Sequence, residues 1–256
     1  MKLLLTSAGI NNKSIRNALV DLLGKPIEDS NALFVPTGVY PFRGGPYYAW
    51  NPIGGEAAPR MCQLGWKSVG ILELSVLPSI DRDKWLPTLE EADALLVWGG
   101  DPLFISYWMQ QSGLTDLLPS LLDNLVYVGV SAGAIAAASL FAETYSAKRA
   151  CAGNPLKSEE IVFSMAKGEV SATLVTANGM GLTKFAVIPH FENKNHFASS
   201  WTNAEKWASK LPVPVYAIDE DTALKVTDNN IEVISEGRWK LFTPDKALNV
   251  SDNGQA

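Results

Sequence analysis

Cysteine and histidine are both scarce in this sequence of 256 residues. Two cysteines, Cys62 and Cys151, are too few for the disulfide framework of a small secreted domain, so we expect both to be free thiols. The sequence contains no Cys-x-x-Cys pair and no group of cysteines and histidines at the spacing of zinc ligands. It therefore gives no indication of a metal site.

Basic clusters and long apolar runs are also missing. The net charge is −6, which argues against nucleic acid or an anionic membrane as a partner. No apolar run approaches the roughly 18 residues of a membrane-spanning helix. The run Leu3–Leu5 is shorter than the about 7–15 apolar residues of a secretory signal and predicts a first strand instead. We expect a cytoplasmic protein, and the sequence leaves its oligomeric state open.

Apolar residues make up 47% of the chain, enough for a large core, and they alternate between two patterns. Short apolar runs predict strands at Lys2–Thr6, Ala32–Pro36, Val69–Leu74, Ala94–Trp98 and Val126–Val130. Helices are predicted at Asn11–Leu23, Glu56–Leu64, Asp83–Glu91 and Pro102–Leu122, the last broken near Gly113. This alternation predicts an α/β fold with a doubly wound, mostly parallel sheet between helices, formed by residues 1–256 as one domain.

The second half of the chain is less regular. Further strands are predicted at Leu174–Ala177, Phe185–Pro189, Val213–Ile218, Ala223–Val226 and Ile231–Ser235, with a helix at Asn193–Lys210. The last three strands predict an antiparallel edge. The segment Pro41–Gly55 is rich in glycine, proline and aromatic residues, which is typical of a loop, either functional or packed on itself.

The segment Gly129-Val-Ser131-Ala-Gly133 follows an apolar strand and precedes small residues that predict a helix over Ala134–Leu140. The pattern G-x-S-x-G is typical of a sharp strand-to-helix turn that exposes a nucleophilic serine. The backbone N–H of Ala132 is then available to an oxyanion. The alternative is that the small residues serve close packing alone.

A base and a second oxyanion donor are also present. His190 follows the strand Phe185–Pro189, where side chains at carboxyl ends of parallel strands line a ligand crevice. His196, in the predicted helix, is the weaker candidate. Gly99 and Gly100 end another strand and permit close approach of a ligand to the backbone. Asp101, before a proline, is expected to cap the next helix or to contact substrate.

These motifs resemble the dipeptidase E and cyanophycinase family of serine peptidases. The resemblance rests on Trp98-Gly-Gly-Asp101, Gly129–Gly133, Pro189-His-Phe191 and the late segment Val215–Leu224. It implies a flavodoxin-like fold, similar to class I glutamine amidotransferases, and a Ser-His-Glu triad of Ser131, His190 and Glu220. Glu192 and Glu143 are alternatives for the acid.

The same resemblance implies small peptide substrates, including aspartyl peptides, whose carboxylate Arg43, Arg60 or Arg149 could bind. The expected oxyanion donors are Gly100 and Ala132, the expected substrate contacts Gly99 and Asp101, and no cofactor is required. Two alternatives stay open at this point. One is an esterase of the α/β-hydrolase type, although its histidine usually lies nearer the C-terminus. The other is a non-catalytic binding module on the same fold.

Overall fold

The computed structural model describes residues 1–55, 61–145, 151–165, 168–228 and 230–244. The strands are β1 (Lys2–Thr6), β2 (Asn31–Val35), β3 (Ser68–Ile71), β4 (Ala94–Val97), β5 (Val126–Val130), β6 (Leu140–Tyr145), β7 (Pro155–Met165), β8 (Gly168–Asn178), β9 (Ala186–Ile188), β10 (Val215–Ile218), β11 (Thr222–Thr227), β12 (Asn230–Ser235) and β13 (Trp239–Phe242). The α-helices are α1 (Lys13–Leu23), α2 (Gly45–Gly54), α3 (Arg82–Glu90), α4 (Pro102–Gln111), α5 (Leu114–Leu121), α6 (Ala132–Ile135) and α7 (Trp201–Ala208).

The central sheet has seven strands in the order β12-β11-β1-β5-β4-β2-β3. Its five strands from β1 to β3 in this order are parallel, whereas β11 and β12 are antiparallel to their neighbours. A parallel sheet needs crossover helices, and these cover its two faces. The predicted α/β fold, with a mostly parallel sheet and an antiparallel edge, is therefore confirmed.

Successive residues of the central strands enter two different cores. Leu3 and Leu5 of β1 pack into a cluster with α3, α4 and α5, whereas Leu4 packs on the opposite face with Ile15 and Leu19 of α1. Side chains alternate between the faces of a strand, so a strand that is covered on both sides must be apolar throughout. The sequence contains uninterrupted apolar runs because these strands are covered on both faces.

Local capping sets the ends of the predicted helices. The side chain of Asn12 accepts a hydrogen bond from the N–H of Ile15 and begins α1. The side chain of Asp101 does the same for Phe104 and begins α4. Gly113, with φ of 76°, separates α4 from α5 as predicted, because a left-handed residue cannot continue a helix.

The predicted antiparallel edge contains only two of its three strands. The strand β10 leaves the central sheet and forms a three-stranded sheet with β9 and β13, parallel to the first and antiparallel to the second. Val215 and Ala217 of β10 are buried against Ala204 and Trp207 of α7. The separate core between this small sheet and α7 explains why β10 is not part of the predicted antiparallel edge.

Two predictions between Pro41 and Leu64 need correction. The glycine-rich segment is largely helical, since it contains α2. Gly44 and Gly55 bound the helix in left-handed conformations, and Pro46 is placed in its first turn, where a missing N–H costs nothing. The predicted helix Glu56–Leu64 falls partly on residues 56–60, outside the described residues, and residues 61–64 form turns.

The chain after Ser131 forms a much shorter helix than predicted. The helix α6 has four residues, and its alanine-rich continuation leads into β6 instead of extending to Leu140. The backbone carbonyls of Ala136 and Ala137 accept hydrogen bonds from Met180 and Leu182, so tertiary contacts replace the bonds of a longer helix. The strand β6 then pairs with β8, which also pairs with β7.

Candidate active site

Ser131 occupies a strained turn between β5 and α6. Its φ of 51° and ψ of −112° lie outside the conformations that non-glycine residues usually adopt. The turn is crowded as well, since a Cβ on Gly133 would come within 2.2 Å of the Val97 oxygen. A Cβ on Gly129 would come within 2.8 Å of the Ala134 nitrogen. The glycines therefore serve close packing, and that packing holds the serine in its unusual conformation.

His190 is separated from the end of β9 only by Pro189, and its side chain faces the serine. Its Nε2 is 3.0 Å from Ser131 Oγ, and its backbone has a positive φ of 59°. The backbone N–H of His190 donates a 2.7 Å hydrogen bond to the hydroxyl of Ser7, which follows β1. Ser7 is completely buried and was not identified from the sequence, although small polar residues directly after a parallel strand could have indicated it.

Glu220 is on the opposite side of the imidazole. Its Oε1 is 3.0 Å from His190 Nδ1 and also accepts a hydrogen bond from the side-chain amide of Asn193. Because β9 and β10 are parallel neighbours, their carboxyl ends bring His190 and Glu220 to the same edge of the small sheet. Burial opposes ionisation of this carboxyl group, but the hydrogen bonds from His190 and Asn193 outweigh it and lower the pKa of Glu220 to about 2.

The other two candidate acids are engaged elsewhere. The Glu192 carboxylate accepts a hydrogen bond from the backbone N–H of Trp201, the first residue of α7. The Glu143 carboxylate, on β6, accepts hydrogen bonds from the N–H and hydroxyl of Thr144. Burial raises the pKa of Glu143 to about 7, and the charge of Asp101 adds to this shift. Neither carboxylate is hydrogen-bonded to the His190 ring.

The glycines expected to supply donors lie beside Ser131. Gly100 has a φ of 129°, and a Cβ on it would lie 2.1 Å from the Gly38 oxygen, so no larger residue fits. A Cβ on Gly99 would be 3.4 Å from the Ser131 Cβ. Ala132 begins α6, where a backbone N–H has no intrahelical partner. Asp101 is a buried N-cap, as predicted, and it also lines the cavity next to Ser131.

His196 does not lie in an α-helix, contrary to the prediction. It lies outside α7, and its ring stacks on His190 with a centroid distance of 4.1 Å and an interplanar angle of 16°. Burial lowers the pKa of His196, and the neighbouring His190 adds to the effect. The predicted helix over Asn193–Lys210 is wrong in its first half because the chain turns back there, with Glu192 N–H donating to the Ser199 carbonyl.

Two cavities meet at Ser131, His190 and Gly100. The larger, which we name the polar cavity, has a volume of about 560 Å³, and its wall includes Arg43, Asp101, Glu143, Tyr145, Cys151 and His196. The smaller, which we name the apolar cavity, has a volume of about 350 Å³ and lies towards α2. Arg60 and Arg149 lie outside the described residues, so Arg43 is the one predicted arginine whose position is known.

The described residues contain no group of three His, Cys, Asp or Glu side chains arranged to hold a metal ion. Cys62 and Cys151 are not joined in a disulfide, the Cys151 thiol donates a hydrogen bond to the Asp101 carboxylate, and burial raises the pKa of Cys62 to about 12. None of the helices in the described part of the chain has the length and apolar character required to cross a membrane.

Comparison with known proteins agrees with the motifs. No curated protein matches the sequence. The fold is similar to that of a protein of Listeria monocytogenes EGD-e designated a peptidase E, with a TM-score of 0.57 and 15% identity over 92% of this chain and 98% of that one. It is also similar to a peptidase from an acI-B1 actinobacterium, with a TM-score of 0.54 and 17% identity over 96% and 95% of the two chains. The sequence matches the description of peptidase family S51 over residues 3–234, and the chain therefore belongs to that family of peptidases.

Proposed function

We propose that this protein is a serine-type peptidase that cleaves small peptides with Ser131 as nucleophile, His190 as general base and Glu220 as the acid that orients it. One observation carries the proposal. The hydrogen bonds run continuously from Ser131 Oγ through both ring nitrogens of His190 to Glu220, and both N···O distances are 3.0 Å. Nucleophile, base and orienting acid within such reach are what covalent catalysis by serine requires.

In this mechanism Ser131 Oγ attacks the peptide carbonyl while its proton moves to His190 Nε2. The backbone N–H groups of Gly100 and Ala132 stabilise the negative oxygen that forms. His190 then gives the proton to the leaving amine, and a water molecule releases the acyl group by the same steps. Glu220 stays ionised throughout, since its pKa is about 2, and it stabilises the imidazolium.

The polar cavity supports substrates with an acidic residue beside the cleaved bond. Arg43 in its wall can pair with a carboxylate through two parallel hydrogen bonds. Glu143 lines the same cavity and, with a pKa of about 7, is protonated in mildly acidic solution, where its hydroxyl can donate to a carboxylate. Hydrolysis of aspartyl dipeptides is therefore expected to be favoured below pH 7 relative to peptides without an acidic residue.

The test is hydrolysis of a dipeptide panel that includes aspartyl peptides, together with labelling by a fluorophosphonate. Ser131→Ala and His190→Ala are each expected to lower turnover by about 10⁴-fold or more. The fluorophosphonate is expected to label the wild type and not Ser131→Ala. Ser139→Ala, a change at a second serine near the turn, provides the control. Labelling that persists in Ser131→Ala would show that the nucleophile is a different residue.

A further inference from the structure

The apolar cavity opens directly on Ser131 and His190 but differs chemically from the polar cavity. Its wall contains Val39, Tyr48, Pro52, Trp98 and Val130. No Lys, Arg, Asp or Glu among the described residues lines it, whereas Arg43, Asp101 and Glu143 line the polar cavity. Cavities that hold small ligands are usually apolar with a few polar groups, and 350 Å³ lies near the lower end of their range of about 300–1,000 Å³.

One face of α2 contributes to the wall of this cavity. Tyr48, Asn51 and Pro52 are three and four residues apart, so they lie on one side of the helix, and all three line the cavity. The side-chain oxygen of Asn51 is buried and, within the described part of the chain, has no hydrogen-bond partner. It can accept a hydrogen bond from a substrate N–H. Tyr47 and Trp50 are on the exposed side and do not line the cavity.

The apolar cavity also lies next to the proposed catalytic residues. Its wall includes Ser131, His190, Gly99 and Gly100, so a group inside it lies next to the nucleophile and to an expected oxyanion donor. The polar cavity shares Ser131, His190 and Gly100. A peptide bond held at Ser131 therefore has a different cavity available for the residue on each of its sides.

From this arrangement, and resting on the proposed function, we infer that the apolar cavity is a substrate subsite for a branched aliphatic or aromatic side chain next to the cleaved bond. The preferred peptides then combine an apolar residue with a polar or acidic one. The energetic reason is the burial of apolar surface, which discriminates between side chains even one methylene apart by about 10-fold or more.

The inference is tested with two sulfonyl fluorides that react with the same serine. When either reagent reacts, Ser131 Oγ forms a bond to sulfur, the sulfur–fluorine bond breaks, fluoride leaves and the hydroxyl proton passes to His190. Phenylmethanesulfonyl fluoride carries an apolar ring, and methanesulfonyl fluoride carries only a methyl group. The measured quantity is the ratio of their rates of reaction with Ser131, which cancels any general change in serine reactivity.

We expect Tyr48→Ala to lower this ratio about 10-fold, and Tyr48→Asp, which adds a charge to the wall, to lower it further. Trp50→Ala is the matched control, because Trp50 is an exposed aromatic residue of the same helix and does not line the cavity; its ratio is expected to stay within twofold of wild type. Tyr48 is itself about half exposed, at 48%, so its replacement does not remove a core residue.

The outcomes separate the subsite from the proposed function. Labelling of Ser131 at an unchanged ratio in both Tyr48 variants would overturn the subsite while Ser131 remained the nucleophile. Absence of any Ser131 labelling in the wild type would overturn the proposed function and the subsite with it. Hydrolysis of Asp-Leu and Leu-Asp compared with Asp-Gly and Gly-Asp gives an independent measurement. A leucine peptide is expected to be cleaved at least 10-fold faster than its glycine counterpart by wild type, and this preference is expected to be lost in Tyr48→Asp.

Discussion

Replacement of Glu143 by glutamine is expected to change how the stability of the protein depends on pH. Glu143 is placed on β6 in the wall of the polar cavity, where burial raises its pKa to about 7 from an ordinary value of 4.5. Between these two values the folded protein holds a proton that the unfolded chain has released. The free energy of unfolding must therefore fall as the pH rises through this interval and level off above pH 7.

The magnitude follows from the two pKa values. Each pKa unit corresponds to about 1.4 kcal/mol, so full ionisation of Glu143 costs the fold at most about 3.4 kcal/mol. Between pH 5 and pH 8 the expected loss is about 2.5 kcal/mol, because the unfolded carboxyl is already partly ionised at pH 5. Glutamine keeps a carbonyl oxygen for the Thr144 hydrogen bonds and cannot ionise. The variant is therefore expected to lose about 2.5 kcal/mol less than wild type across this range.

Urea unfolding at pH 5, 6, 7 and 8, followed by the fluorescence of the eight tryptophans, measures this difference. Other titrating groups affect wild type and variant equally and cancel. Glu169→Gln is the matched control, because Glu169 is an exposed glutamate on β8, the strand paired with β6. Its stability is expected to follow the wild-type dependence on pH. In thermal unfolding the same difference corresponds to roughly 5–10 °C in Tm for a protein of this size.

A Glu143→Gln variant whose stability runs parallel to wild type from pH 5 to pH 8 would refute the reasoning. Glu143 would then have no raised pKa, and it could not donate a hydrogen bond to a substrate carboxylate near neutral pH. A stability difference with a midpoint near pH 4.5 would lead to the same conclusion. The catalytic consequence can be measured on the same variant: in Glu143→Gln, hydrolysis of Asp-Leu relative to a peptide without an acidic residue is expected no longer to increase below pH 7.

Four further variants test the groups around His190. Glu220→Gln is expected to lower kcat by about 10³–10⁴-fold, because a neutral amide no longer fixes the imidazole tautomer. Glu192→Gln is expected to retain activity, because the Glu192 carboxylate accepts a hydrogen bond from Trp201 and does not contact the imidazole. A large loss of kcat in Glu192→Gln and none in Glu220→Gln would make Glu192 the acid. His196→Ala is expected to lower kcat about 10–100-fold by removing the ring stacked on His190, whereas His196→Phe keeps an aromatic ring and is expected to restore most of the loss. Equal kcat values for wild type and His196→Ala would show that the stack does not position the base.

The central part of the fold was predictable because its causes are local in the sequence. Strands covered on both faces must be apolar throughout, and caps such as Asn12 and Asp101 set the beginnings of helices within a few residues. The positions of Ser131 and His190 at the ends of strands were predictable for the same reason, because the apolar runs before them mark β5 and β9. Glu220 was predicted from a family resemblance, and its position beside His190 depends on the parallel pairing of β9 with β10.

The features that were missed depend on contacts between distant segments. The alanine-rich stretch after Ser131 has a high helix propensity, yet its helix ends early because its backbone carbonyls accept hydrogen bonds from the loop at Met180–Leu182. His196 stacks on His190 because the chain turns back at Glu192, which has a positive φ of 61°. No local pattern in the sequence distinguishes that turn from the start of a helix.

Most of the described non-glycine residues with a positive φ are found at the candidate active site. Ser131, His190 and Glu192 are three of the four non-glycine residues with positive φ among those the structure describes, and all three are in or beside the site. Ser131 follows β5 of the seven-stranded sheet, whereas His190 and Glu220 follow β9 and β10 of the small sheet. Ser7, at the end of β1, connects the two by accepting the His190 N–H. The alignment of serine with histidine therefore depends on the junction between two sheets, and the buried hydroxyl of Ser7 is one of the contacts that hold this junction.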